Sequence, residues 1–251
     1  MALLPSLLRK AGVKSSAKSQ LVLDGRTITV TLRPNARARR IILRIDKQGD
    51  GIILTVPPGT SHSRAMEFAA SQGAWIWQQL AKQPDMVRLE AGEVIPVRGI
   101  RHRIVADSNR RTPVWCGEFD DDEALLFVSG DEAHHARRLK DWLKKQARAD
   151  LSASAHAYAD RMNVKISRIS IRDTSSRWGS CSSTGALSFS WRLIFAPTWV
   201  LDYVAAHEVA HLLEMNHSPK FWAHVEKHCP STKKARKWLK ANGRSLHRYG
   251  A

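Results

Sequence analysis

Trp199-Val200-Leu201-Asp202-Tyr203-Val204-Ala205-Ala206-His207-Glu208-Val209-Ala210-His211-Leu212-Leu213 decides the reading of this chain. Its apolar positions Val200, Leu201, Val204, Ala205, Leu212 and Leu213 recur at helical spacing. On a helix, residues four apart share a face one turn apart, so His207 and His211 aim their imidazoles at one point. Zinc takes imidazole nitrogen at about 2 Å in tetrahedral surroundings, so the pair supplies two ligands and needs a third. Glu208 is placed to reach a metal-bound water without being a ligand, the position of a general base. Polar groups in so apolar a helix also need partners to offset their desolvation.

Moving outward, Ser218-Pro219 reads as an N-cap followed by proline at the first position of a new helix, and Asn216 is suited to a left-handed exit from the old one. His217 then lies in a tight turn. Its spacing from His211 matches the third ligand of the His-Glu-x-x-His-x-x-Gly-x-x-His pattern, with Glu214 where that pattern has glycine. His224, His228 and Glu226 on the following helix compete for the same role. Upstream, Arg177-Trp178-Gly179-Ser180-Cys181 and the strand-like Ala186 to Phe195 form a hairpin feeding the helix, with Trp178 and Trp191 expected in the core. Arg177, Arg192 and Tyr203 are candidate substrate or oxyanion contacts, a structural ion pair being the other reading of the arginines.

The rest of the chain alternates in texture. Residues 1–19 read as a basic, polar tail. Leu21–Leu23 and Arg26–Leu32 flank Asp24-Gly25, and Ile41–Ile45 faces Ile52–Val56, as two hairpins. Thr60 or Ser61 caps a helical stretch to Ala81, divided at Gly73, with Met66, Phe68, Ala69, Trp75, Ile76 and Leu80 inward. Short strands follow at Val94–Val97, Arg101–Val105 and Leu125–Val128. A long helix runs from Asp131 to about Met162, then a strand from Val164 to Arg172. The expected fold class is α+β, with a β-rich region over 20–130 and a helix-and-sheet domain over 131–251.

Composition sets the bounds. Forty Lys and Arg against 23 Asp and Glu give a net charge of +17 over 251 residues. The basic surplus, at Arg33–Arg44, Arg98–Arg111, Arg137–Lys145 and Lys233–Lys240, suits nucleic acid or another polyanion as a partner. Cys116, Cys181 and Cys229 are odd in number with no Cys-x-x-Cys spacing, which points to a reducing compartment. Met1–Leu8 is short and its charges follow the apolar run, so a secretory signal is not expected. Arg192 and Asp202 interrupt the best apolar stretch, so no membrane span is expected and a cytoplasmic location is. Oligomeric state is not legible.

Arg177-Trp178-Gly179-Ser180-Cys181, Trp191-Arg192-Leu193, Tyr203-Val204-x-x-His207-Glu208-x-x-His211-Leu212 and Asn216-His217-Ser218-x-x-Phe221-Trp222 together resemble the YgjP-like metallopeptidase family, relatives of the SprT-like and WLM zincins. Arg39-Arg40, Val56-Pro57-x-Gly59-Thr60 and Trp75-Ile76 extend the likeness over most of residues 20–230, and Ser190 stands where the pattern has Asn. The resemblance implies a zincin-like domain with one zinc ion on His207, His211 and His217, and Glu208 as base. It implies hydrolysis of peptides or proteins through a zinc-bound water. The rivals are a nucleotide or phosphate-ester hydrolase, since the same chemistry attacks phosphorus, and a nucleic-acid-associated protein with a structural zinc.

Overall fold

Asp24 and Gly25 both take positive φ, 49° and 75°, as a type I′ turn requires. They join antiparallel strands β1 (Ala17–Leu23) and β2 (Arg26–Pro34), with Leu23 opposite Arg26. The structure is a computed structural model; it describes residues 15–46, 51–81, 86–120 and 123–250 and divides into two units between Asp85 and Met86. Of the expected tail, residues 1–14 lie outside the described residues, while Ala17–Ser19 belong to β1, paired with Val30–Leu32.

In the first unit, β3 (Ile42–Ile45) and β4 (Gly51–Val56) form the second expected hairpin, and β4 also runs parallel to β2 in the order β1-β2-β4-β3. Alternation buries Ile28, Val30 and Leu32 of β2 with Ile52, Leu54 and Val56 of β4 on one face. Helices α1 (His62–Ser71) and α2 (Gly73–Leu80) cover it through Ala65, Ala69 and Ile76. Ser61 caps α1 by accepting from the Arg64 amide. Trp75, expected inward, is 42% exposed. Adjacent helical residues point about 100° apart, and Ile76 takes the inward place.

The second unit opens with β5 (Val94–Val97), β6 (Ile100–Ala106), β7 (Val114–Asp120) and β8 (Glu123–Val128), ordered β5-β6-β8-β7 with β6 and β8 parallel. Helix α3 (His135–Met162) lays Leu139, Leu143, Ala147, Leu151 and Ala155 down one stripe and ends at Asn163, φ 53°. Arg98, in the β5–β6 turn, ties this sheet to α3 by donating to Asp150 at 2.7 Å and Gln146 at 2.8 Å. Val97, Ile104, Leu126 and Val128 thus share one core with Leu139, Trp191 and Val204. The unit boundary therefore falls at 85/86 and not at 130/131, because strand texture is local while the core that a strand joins is not.

A third sheet, β9 (Arg168–Arg172), β10 (Gly179–Cys181) and β11 (Ala186–Ser190), has the order β10-β11-β9. Strand β9 starts four residues later than expected, because the α3 cap extends to the Val164 amide, which donates to the Ala159 carbonyl. Strand β11 stops at Ser190, and Trp191–Phe195 forms a buried 3₁₀ turn. Then come α4 (Thr198–Ala210), α5 (Pro219–His228) and α6 (Thr232–Asn242). Fully burying Phe189, Phe195 and Phe221 contributes on the order of 2 kcal/mol each. Mixed sheets with helices make the fold α+β, as expected. Among the described residues no helix is long and apolar enough to cross a membrane.

Candidate metal centre

Helix α4 is buried nearly all round, through Val200, Leu201, Tyr203, Val204, Ala205, Ala206, Val209 and Ala210, as a helix through a core must be. It is shorter than its sequence suggests, ending at Ala210. His211 nevertheless keeps helical backbone (φ −63°, ψ −19°), so the one-turn relation to His207 survives, with ring centroids 5.0 Å apart. The chain leaves without the left-handed residue expected at Asn216, which has no positive φ. Its side chain instead accepts from the Ser218 amide at 2.8 Å, a side-chain turn that does the same work. Ser218 then caps α5 by accepting from the Phe221 amide, and Pro219 follows at the first helical position.

That reversal brings His217 back onto α4. Its ring lies 5.0 Å from that of His207 and 4.7 Å from that of His211, and its Nε2 is 3.1 Å from Nε2 of His207. Ligand atoms of the three histidines all lie within 4.8 Å of one another. Nitrogens on one tetrahedral zinc stand about 3.4 Å apart, so the cluster needs little adjustment to close on an ion. His211 Nδ1 lies 3.1 Å from the Glu214 carbonyl. A carbonyl only accepts, so Nδ1 carries the proton and Nε2 offers its lone pair to the cluster. Burial, and after it the neighbouring His211 and His217, pull the His207 pKa down to about 3. His207 is thereby held as neutral imidazole, the form in which it can serve as a ligand. Among the described residues this is the one such group; His224, Glu226 and His228 are not in it.

Glu208 is 5% exposed. Burial pushes its pKa up to about 8, against the opposing charge of Arg177. The carboxyl lies against β10, where a Cβ added to Gly179 would come within 2.7 Å of Glu208 Cδ. Gly179 thus provides the space that Glu208 occupies. Gly179→Ala is expected to push Glu208 aside and lower turnover by roughly a hundred-fold, leaving metal content unchanged; parallel metal and rate assays check it, and unchanged turnover would contradict it.

The two shifts oppose each other in the metal-free protein. Glu208 keeps its proton to about pH 8 when folded, against 4.5 for the free group, so the unfolded chain binds fewer protons in that window. Stability falls there as pH rises. His207, at about 3 against 6.5, does the reverse, and its contribution is lost as pH falls through that lower window. Glu208→Gln is accordingly expected to stabilise the metal-free protein by roughly 3–5 kcal/mol at about pH 9, with the gain gone at about pH 4. Urea melts at both values check this, and coincident midpoints at the higher pH would contradict it.

The other predicted contacts separate. Arg177 is exposed and its charge reaches Glu208. Arg192 is buried, donating to Asp173 at 2.7 Å and 3.3 Å and to the carbonyls of Tyr249 at 2.8 Å and His247 at 3.3 Å. With its guanidinium committed to pinning the C-terminal segment, it is a structural ion pair and not an oxyanion contact. Tyr203 places its hydroxyl 3.5 Å from His207 Nδ1, on the side of the ring away from the Nε2 that faces His217, so it is placed to orient the His207 ring. Burial lifts its pKa to about 12, which keeps the hydroxyl protonated.

Two residues escaped the sequence reading. Gly179 was legible only as part of a motif, without its reason. Arg236 stacks over Trp222 at 4.2 Å, and its charge reaches both His207 and Tyr203; in the sequence it is one cation in a basic run. Ser190 is wholly buried, and among the described residues its hydroxyl has no hydrogen-bond partner.

Comparison with known proteins adds the following. The sequence profile of the family described as YgjP-like, metallopeptidase domain, matches residues 39–242. A search of curated proteins returns no match. Among solved structures, the crystal structure of the metallopeptidase zymogen of Pyrococcus abyssi, abylysin, is similar at 22% identity and a TM-score of 0.33, over 36% of this chain and 93% of that one.

Proposed function

The chain belongs to the YgjP-like metallopeptidase family, and from that premise we propose that it hydrolyses peptide bonds in peptides or proteins at one zinc ion held by His207, His211 and His217. The observation that carries this reading is three imidazoles converging beside the buried Glu208. Zinc bound there supplies a Lewis acid for the scissile carbonyl and lowers the pKa of water toward about 7. The protein's own groups do the rest. Glu208 takes the proton from the attacking water and returns it to the leaving amine. His211, locked by the Glu214 carbonyl, and His207, backed by Tyr203, keep their ring orientation through the cycle.

Substrate alignment follows from the sheet. Strand β10 is an edge strand, and Gly179 at its start touches Glu208. An extended peptide added to that edge by main-chain hydrogen bonds would run past the carboxyl, and such pairing tolerates many side chains. The three free cysteines accord with a reducing, cytoplasmic setting.

The test is cleavage of a mixed peptide library by the full chain, before and after chelation. Turnover that disappears with chelator and returns with one equivalent of zinc is the expected result. Zinc-dependent turnover of nucleotides or phosphate esters with no peptide cleaved would overturn it in favour of the phosphate-ester reading.

A further inference from the structure

The first unit carries a feature that peptide hydrolysis does not use. An open groove of about 1110 Å³ is lined by Arg39, Arg40, Arg44 and Arg64, with Phe68 and Trp75 among its apolar walls and no acidic residue. The arginines come from the contiguous stretch that leads into and forms β3 and, separately, from α1, so two stretches of the chain deliver four guanidinium groups to one groove. All four are exposed, and among the described residues none forms an ion pair. Trp75 lines the same groove and is 42% exposed, whereas Ala65, Ala69 and Ile76 of α1 and α2 are buried against the sheet.

We propose that this groove binds single-stranded nucleic acid. The arginines match a run of phosphates, and an exposed indole in the same groove is a platform for an unpaired base. An acidic peptide would satisfy the charges but give Trp75 no planar face to stack on. A duplex would offer phosphates while keeping its bases stacked inside. The volume exceeds that of an ordinary small-molecule pocket, about 300–1,000 Å³, and the groove is open, as a chain running through it requires. The net charge of +17 draws any polyanion toward the protein, and this groove holds Trp75, the one exposed tryptophan among the described residues.

The experiment is fluorescence anisotropy of a labelled 12-nucleotide oligothymidylate with the full chain, at two salt concentrations. Four phosphate contacts predict that a four-fold rise in salt weakens binding about fifty-fold. Arg40→Gln with Arg64→Gln is expected to halve the logarithmic salt slope. Trp75→Ala is expected to weaken binding roughly ten-fold and leave the slope unchanged. All three side chains are exposed, and circular dichroism confirms that each variant is folded. A heparin fragment, a duplex or poly-glutamate binding as tightly as the oligonucleotide would overturn the proposal. So would variants that bind like the parent chain.

Discussion

Glu208→Gln is expected to lower kcat by about 10²–10⁴-fold while the protein keeps one zinc ion per chain. The carboxamide has the shape of the carboxyl, so it still fits the space left by Gly179, but it cannot take a proton from water. The histidine cluster excludes Glu208, so the substitution removes no ligand. Retained metal with lost turnover separates a base from a ligand. Metal content and turnover measured on the same preparation check it; an active Gln variant would remove Glu208 from the mechanism, and a variant without zinc would make it a ligand.

His217→Ala is expected to weaken zinc binding on the order of a thousand-fold, one ligand's share of a site worth about 10–16 kcal/mol, and to take activity below detection. His217 is the informative one of the three proposed ligands because it is exposed and lies between α4 and α5, so its loss is expected to leave the core intact and the melting curve of the metal-free protein unmoved. His224→Ala, on the next helix, is expected to change neither zinc content nor rate. Equilibrium dialysis against zinc, with circular dichroism on each variant, decides the matter. A His217→Ala protein that still binds zinc as tightly as the parent would return the third ligand to His224 or Glu226.

The parts of the fold and of the site legible in the sequence are those fixed by local chemistry. Residues four apart on a helix must share a face, Ser218-Pro219 must start a helix, and Asp24-Gly25 must turn a hairpin; all three hold. The division of a helix at Gly73 and the cap at Ser61 are of the same kind. What the sequence leaves open is set by partners far along the chain. The parallel pairings of β2 with β4 and of β6 with β8 have no local signature, and β7, with its register shift between Cys116 and Phe119, lacks the clean alternation that would announce it. Arg192 looks the same in sequence whether it faces substrate or Asp173, and only the C-terminal carbonyls around it decide. Gly179 matters through the side chain of a residue on another element, which no pattern of its own neighbours could reveal.

The most direct test of the zinc centre is anomalous diffraction at the zinc edge from crystals of the zinc-reconstituted chain. One peak per chain is predicted, about 2.0–2.1 Å from Nε2 of His207, His211 and His217, with an open coordination position facing Glu208. A fourth protein ligand closing that position, or no peak at the three histidines after reconstitution, would contradict the account.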